Sequence, residues 1–387
     1  MRIGILTLWQ SSDNYGQQLQ CWALQQALIK LGHAPYLIRY DIEHRFGNIT
    51  SPLWKKILKV LLVYPVLKSL KRKKQKKNER KQIEYNAIKN KDREFKKFRE
   101  KNFLVSKLIY ANLKELKDNP PIADVYIVGS DQVWAHLLDK YENRAMYLDF
   151  GDKNIRRIAY APSFSMPSYP ESLKPLLKEN LERFDCLSVR EQTGVKICDE
   201  FSYKTKLVLD PTMLLRREDY ASLTNDDSNG TYIYLYYLNI SKAEEIAWNQ
   251  LHSFAKVSKM QVVATPASGY IQGQELFDDV EYKYASIPKW INLIKNANLV
   301  VTTSFHGVVF CIIHHTPFVY FPLKGQFARG NNRVVDLCKM LDLSDRIWRE
   351  SSSYDEISQQ AIDWDAVDEI LELKREDSIE YLKKALS

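Results

Sequence analysis

Along this chain, short apolar runs alternate with longer segments of helical periodicity, and no other feature narrows the fold as much. Ile3 to Leu8 reads as a strand. In the next stretch, NYGQQLQCWALQQALIKLGH, residues Leu19, Trp22, Ala23, Leu24, Ala27 and Leu28 fall at helical spacing and Gly32 marks the stop. APYLIRY is the next strand. ADVYIVGSD (123–131), RRIAYAPSF (156–164), CLSVR (186–190) and KLVLDPT (206–212) follow, the last two separated by the helical EQTGVKICDEF. A second series starts near Thr231: strand YIYLYYL, helix 242–258, strand QVVAT, helix 286–296, strand 299–303, helix 307–314 and strand 317–321. The last ~50 residues read as helical. Strands joined through helices imply parallel sheet. A chain of 387 residues is also too long for one ordinary core. The expectation is an α/β protein of two successive domains, 1–224 and 231–387, facing a cleft. The C-terminal helices are assigned to the second domain, and NDDSNG (225–230) is the link.

Composition narrows the function classes. With 45% hydrophobic and 27% charged residues there is enough apolar mass for two cores. The five cysteines are scattered, with no C-x-x-C pair. That spacing predicts reduced thiols in a cytosolic setting, neither a disulfide framework nor a thiolate metal site. No signal-peptide pattern precedes the first strand. The net charge of +8 is concentrated in one place. Residues 51–81 hold twelve Lys/Arg and one acid, a local charge of +11 that leaves the rest of the chain at −3. Segment 51–82 joins an apolar, Trp54-bearing run, interrupted by Lys59 and Pro65, to a polybasic block. It falls short of the roughly 20 apolar residues that span a bilayer. The pattern suits contact with an anionic membrane surface; the alternative is a solvated helical hairpin packed on the domain. Nucleic acid ranks lower, because the basic block has no interleaved aromatics.

Four strand ends carry residues capable of chemistry, and in α/β folds ligands bind outside those ends. TLWQSSDNYGQ (7–17) runs from strand through a polar loop to a helix at Gly16, where Asn14 and Gly16 could face an anion and Asp13 caps the helix. In VGSDQVW (128–134), Asp131 is either a base or sugar ligand or, with Ser130, the cap of a helix carrying Val133 and Trp134. In SVREQTG (188–194), Arg190 is either a clamp for carboxylate or phosphate or the partner of Glu191 or Asp210. In TTSFHGVVF (302–310), His306 stands beside Gly307, whose helix N-terminus could hold an anion. His314 and His315 read as structural. The sequence lacks the G-x-G-x-x-G, P-loop, H-E-x-x-H and G-x-S-x-G patterns.

Taken in order, GILTLWQSSDNYGQQLQCWALQQAL, DVYIVGSDQVW, RRIAYAPSF, SVREQTGVKI, VLDPTMLL and VVTTSFHGVVF resemble the polysaccharide pyruvyl transferase family over about residues 1–340. The resemblance implies an α/β fold of two Rossmann-like domains facing a cleft, glycosyltransferase-B-like. It implies transfer of a pyruvyl group from phosphoenolpyruvate to two hydroxyls of a sugar, giving a cyclic ketal and phosphate, with no cofactor and no metal. The acceptor would be a sugar of bacterial surface polysaccharide or its lipid-linked precursor. A lipid-carried acceptor would suit a cytoplasmic enzyme peripheral to the inner face of the membrane through 51–82. Phosphoenolpyruvate carries two anionic groups, its C3 must be protonated, and the sugar hydroxyl needs a base. The residues matched to these needs are His306 as phosphate ligand or general acid, Asp131 as base and Arg190 as anion ligand. Asn14, Gly16, Ser304 and Gly307 would line the cleft.

The chain departs from the family at one point. Where members carry Arg-Leu-His, this sequence has Ser304-Phe305-His306. A cation is thus missing, and Arg329, Arg333 or Lys324 from PLKGQFARGNNR (322–333) could supply it. Two other readings compete: a glycosyltransferase using a nucleotide-sugar donor, and a non-catalytic scaffold at a lipid surface.

Overall fold

The computed structural model describes residues 1–41, 93–224, 230–267 and 275–387. The basic segment 51–82 and residues 225–229 of the expected link lie outside the described residues. In the N-terminal half, β1 (Arg2–Leu6), α1 (Tyr15–Lys30), β2 (Ala34–Tyr40), α2 (Phe95–Asn102), β3 (Val105–Tyr110), α3 (Leu113–Asp118), β4 (Val125–Val128) and β5 (Arg156–Ala159) come first. Next are α4 (Lys174–Leu181), β6 (Leu187–Val189), α5 (Gln192–Asp199) and β7 (Thr205–Leu207). The C-terminal half contains β8 (Tyr232–Tyr237), α6 (Trp248–Val257), β9 (Gln261–Pro266), β10 (Glu281–Tyr282), α7 (Ile287–Lys295), β11 (Leu299–Thr302), α8 (Phe305–His314) and β12 (Phe318–Tyr320). It ends with α9 (Asn332–Met340), α10 (Tyr354–Gln359) and α11 (Trp364–Leu386).

Each half is built on a five-stranded sheet, ordered β3-β2-β1-β4-β5 and β10-β9-β8-β11-β12, with every pairing parallel. A bridge from Ile158 to Cys186 continues the first sheet into the parallel pair β6-β7. This is the expected α/β fold with two Rossmann-like sheets. The central strands are sealed on both faces: β8, YIYLYY, is buried along its length, as is β4, VYIV, which is how a parallel strand covered by helices on both sides should read. Strand order reverses between β1 and β4 and again between β8 and β11. Crevices open at such switch points beyond the carboxyl ends of the strands. The segments placed there are the starts of α1 and α8 and the turn after β4.

Several contacts join the halves, and two stand out away from the strand ends. Tyr15, at the start of α1, stacks on Trp290 of α7 (5.1 Å between centroids) and meets Tyr236 of β8 and Phe95 of α2 edge-on. Its hydroxyl donates to the Ala285 carbonyl at 2.6 Å and accepts from Arg93, which also donates to the Pro266 carbonyl. The second feature is α11. It begins with Trp364 stacked on His315, and then crosses to the N-terminal half. There Arg375 donates to the Met213 carbonyl, Ser378 accepts from the Leu209 N–H and Tyr381 donates to the Ala159 carbonyl. The sequence reading groups the last helix with the second half; its polar contacts reach both halves, since Asp368 also meets His315 Nε2 at 3.0 Å. A tail whose apolar face repeats at helical spacing does not declare which sheet it will cover.

One local expectation fails. Residues 128–134 do not open a helix. Asp131 takes a left-handed backbone (φ +76°), and its carbonyl accepts from the N–H groups of Val133 and Ser163. The turn drives Trp134 into the core, stacked on Tyr147 with its indole N–H on the Met146 carbonyl. Among the described residues, no helix is long and apolar enough to cross a membrane.

Candidate active site

The residues singled out at the strand ends come together where the two sheets face each other. After β11, the Thr302 hydroxyl donates to the Tyr236 carbonyl and accepts from the Ser304 N–H. Ser304 then caps α8, its hydroxyl accepting from the Gly307 N–H at 3.3 Å. These two residues are therefore not the anion cradle they suggest in sequence, because their polar groups satisfy each other. Gly307 is small for a different reason: a Cβ there would lie 2.4 Å from the Thr302 hydroxyl and 3.0 Å from the Tyr236 ring. The N–H groups without an acceptor among the described residues are those of Phe305 and His306, the first two of the helix.

The start of α1 repeats this arrangement. Asn14 caps it by accepting from the Gln17 N–H at 3.1 Å, leaving the N–H groups of Tyr15 and Gly16 without acceptors among the described residues. Asp13 instead pairs with the Ser11 hydroxyl. Gly16 touches the catalytic candidate directly: a Cβ on it would stand 2.0 Å from His306 Nδ1. The absence of a side chain lets the two helix starts close on the imidazole. His306 is buried (6% exposed), and its Nε2 is sealed from solvent with no hydrogen-bond partner among the described residues.

Below the ring lies a charged cluster. Arg190, just past β6, directs Nη1 to Asp210 Oδ2 at 2.8 Å and Nη2 to Asp131 Oδ1 at 3.3 Å, with Glu191 3.8 Å from its Nε. The guanidinium side chain is 1% exposed. Arg190 is thus held in an internal ion pair with Asp210, one of the alternatives weighed at the sequence level, and with Asp131, which was not among them. Burial would lower the Arg190 pKa, but the carboxylates of Asp210, Asp131 and Glu191 outweigh it and raise it. Burial also opposes the Asp210 charge, yet His306, Arg190 and Thr212 hold that carboxyl far below the usual range. Glu191 moves the other way. Burial raises its pKa despite Arg190, Arg333 and the bonds from Ser163 and Ser165.

The loop 322–333 decides which cation approaches. Arg333 lies 5.8 Å from the centroid of the Phe305 ring, on which Arg190 also sits at 4.9 Å. Its terminal nitrogens donate to the Gln132 side-chain oxygen at 2.8 and 3.2 Å in the amide orientation that satisfies both groups. Arg190, Asp210, Phe305 and Arg333 line a cavity of about 550 Å³ that extends to the exposed Lys339 and Lys374. That is within the range of small-molecule sites. Arg329 is exposed and lines a different cleft with Lys140, Met166 and Pro170. Asp131 keeps Oδ2 without a hydrogen bond among the described residues. No group of three or more His, Cys, Asp or Glu that could hold a metal occurs among the described residues.

Asp210, Phe305 and Gln132 are the members of the cluster that sequence reasoning did not single out as functional. VLDPT announced an aspartate after a strand, but only the fold brings it under His306.

Three solved structures of similar overall arrangement are a glycotransferase of kitacinnamycin (12% identity, 99% of this chain and 97% of that one, TM-score 0.47), spinosyn rhamnosyltransferase (9%, 100% and 99%, 0.44) and UDP-GlcNAc 2-epimerase from Neisseria meningitidis bound to UDP-GlcNAc (10%, 96% and 99%, 0.42). Likeness of this degree says nothing of activity. No curated protein matched the chain. The model of one family, polysaccharide pyruvyl transferase, matches residues 14–324, which include Asn14, Asp131, Arg190 and His306, and the chain belongs to that family.

Proposed function

We propose that this protein transfers a pyruvyl group from phosphoenolpyruvate to two hydroxyls of one sugar, forming a cyclic ketal and releasing phosphate. The observation that carries this reading is the meeting of two helix starts, one from each half, around a buried histidine. Four backbone N–H groups there, of Tyr15, Gly16, Phe305 and His306, take no acceptor among the described residues. Buried N–H groups are rarely left unpaired, and helix N-termini favour anions. A donor with a carboxylate and a phosphate supplies what they lack. Arg333 adds a cation at the Phe305 ring, beside the position where Ser304 replaces the family's arginine.

In this scheme His306 donates a proton to C3 as the first sugar oxygen adds to C2, and Asp131 Oδ2 receives the hydroxyl proton. Phosphate then leaves with its charge met by the helix N–H groups and Arg333, and the second hydroxyl closes the ring. One proton ends on C3 and the other leaves with phosphate, so the sum is donor plus diol to ketal plus phosphate. The acceptor is a surface-polysaccharide sugar or its lipid-linked precursor. The basic segment 51–82 would hold the enzyme at the cytoplasmic face of an anionic membrane.

The test is a stopped assay of phosphate and free pyruvate with phosphoenolpyruvate and a panel of sugar acceptors. Pyruvyl transfer releases phosphate without free pyruvate and only when the acceptor is present. Equal amounts of both would mean hydrolysis. No release with any acceptor, alongside turnover of a nucleotide sugar, would favour glycosyl transfer, the reading to which Ser304 lends weight.

A further inference from the structure

Asp210 is fully enclosed and held from several directions. Its Oδ2 accepts from the Ser130 hydroxyl and from Arg190 Nη1, each at 2.8 Å. Its Oδ1 accepts from the Thr212 N–H at 3.0 Å and the Thr212 hydroxyl at 2.7 Å. All of these donors belong to the N-terminal half. Oδ2 also lies 3.7 Å from His306 Nε2, which belongs to the other half. Four hydrogen bonds fix the carboxylate in place and keep it ionised. The imidazole is fixed on its other side, because Nδ1 rests against Gly16. Its Nε2, sealed and without a partner, therefore looks onto the carboxylate. A separation of 3.7 Å is beyond hydrogen-bond length, but such contacts are often long in an empty site and tighten with substrate.

We propose that Asp210 is the positioning residue for His306. It draws the imidazole proton to Nε2, leaves Nδ1 toward the start of α1, and balances the ring's charge when both nitrogens are protonated. This is the logic by which a carboxylate orients a catalytic histidine. The role of the pair in turnover rests on the pyruvyl-transfer reading; the orientation of the ring does not. The other ionisable groups around the pair are Arg190, with Asp131 and Glu191 behind it, and Cys21, Tyr160 and Tyr220. Burial pushes the pKa of each of the last three well upward.

The experiment is nitrogen NMR on the full-length chain with labelled histidine, with the His306 signals assigned through His306→Asn. The expected neutral ring carries its proton on Nε2, and Asp210→Asn moves the population toward Nδ1. A wild-type ring protonated on Nδ1, or a tautomer population that Asp210→Asn leaves unchanged, overturns the proposal. The wild-type tautomer needs no variant, so the proposal stays testable if Asp210→Asn does not fold. In turnover, Asp210→Asn lowers kcat by about a hundredfold or more, with phosphoenolpyruvate affinity kept within about threefold, the split expected of a group that acts through the general acid. The double variant with His306→Asn is then no slower than His306→Asn alone; a further loss in the double variant contradicts action through His306. If the tautomer results hold but phosphoenolpyruvate is not consumed, the proposed reaction falls and the positioning role stands.

Discussion

Tyr15 and Gly16 are adjacent in α1, yet they join the two halves of the molecule in opposite ways. Tyr15 enters a dry aromatic clamp in which its ring meets Trp290, Tyr236 and Phe95 and its hydroxyl is satisfied on both sides. Gly16 abuts His306, above a cluster in which His306 Nε2 has no hydrogen bond among the described residues and Arg190 Nε and Glu191 Oε2 face each other at 3.8 Å, beyond hydrogen-bond length. Neither region is fully satisfied, since Trp290 Nε1 and Arg93 Nε in the clamp are also buried without a hydrogen bond among the described residues, and each such group costs stability. They differ in kind: the clamp joins the halves through stacked and edge-on rings, the cluster through charged groups around an imidazole. The difference teaches that the clamp can hold the halves in register without the groups proposed to meet a ligand.

The comparison can be broken in several ways. The largest effect on stability should come from Arg190→Met, which leaves Asp210, Asp131 and Glu191 facing one another. Breaking a buried pair from one side costs about 3–5 kcal/mol, measurable as a drop in the urea midpoint. A loss below 1 kcal/mol would mean that the arginine is not the organiser of the cluster.

Gly16→Ala should next separate activity from stability. The new methyl would stand 2.0–2.6 Å from three His306 atoms and must displace the ring. Overpacking costs about 1–3 kcal/mol, partly offset by the better helix propensity of alanine. The expected loss of turnover is about a hundredfold or more. Full activity would show that the imidazole is not held where the chemistry occurs.

On the clamp side, Tyr15→Phe removes the donor to Ala285 and the acceptor for Arg93. It should cost about 1–3 kcal/mol in denaturant and leave kcat of the folded enzyme unchanged. A kcat falling as far as in Gly16→Ala would mean that the two regions do not act separately.

The smallest effect is a slope in pH. The folded-state pKa of Asp210 lies below its unfolded value. Between the two the unfolded chain binds more protons, so stability rises with pH. Its contribution is present above about pH 4 and is lost as pH falls toward the depressed folded value. Urea midpoints recorded from about pH 5 to about pH 3 should therefore fall less steeply for Asp210→Asn than for wild type.

Much of the scaffold was legible in the sequence because parallel strands buried on both faces leave continuous apolar runs, as in YIYLYYL and ADVYIVG. The edge strand β3 was not. Its consecutive Leu108 and Ile109 are 49% and 57% exposed and Ser106 and Lys107 interrupt its apolar residues, so neither alternation nor a continuous apolar run announces it. His306, Arg190 and Asp131 were found because they follow strands. Their partners depend on distances that local sequence does not encode. Gly16 and Gly307 read in the sequence as helix starts that could face an anion. The fold adds a close approach at each, to the His306 ring and to the Thr302 hydroxyl, respectively. Arg329 and Arg333 are four residues apart and equivalent as text. The short helical turn over Gly325–Gly330 points them to different clefts.

The account stands most directly on whether the paired helix starts take the anionic donor. The measurement is calorimetric titration of phosphoenolpyruvate, and in parallel of UDP-, GDP- and CMP-sugars, into wild type and Arg333→Ala. The account predicts that phosphoenolpyruvate binds wild type, that Arg333→Ala weakens it by about tenfold or more, as befits one charge-assisted contact, and that the nucleotide sugars do not bind. Binding of a nucleotide sugar with none of phosphoenolpyruvate would contradict it.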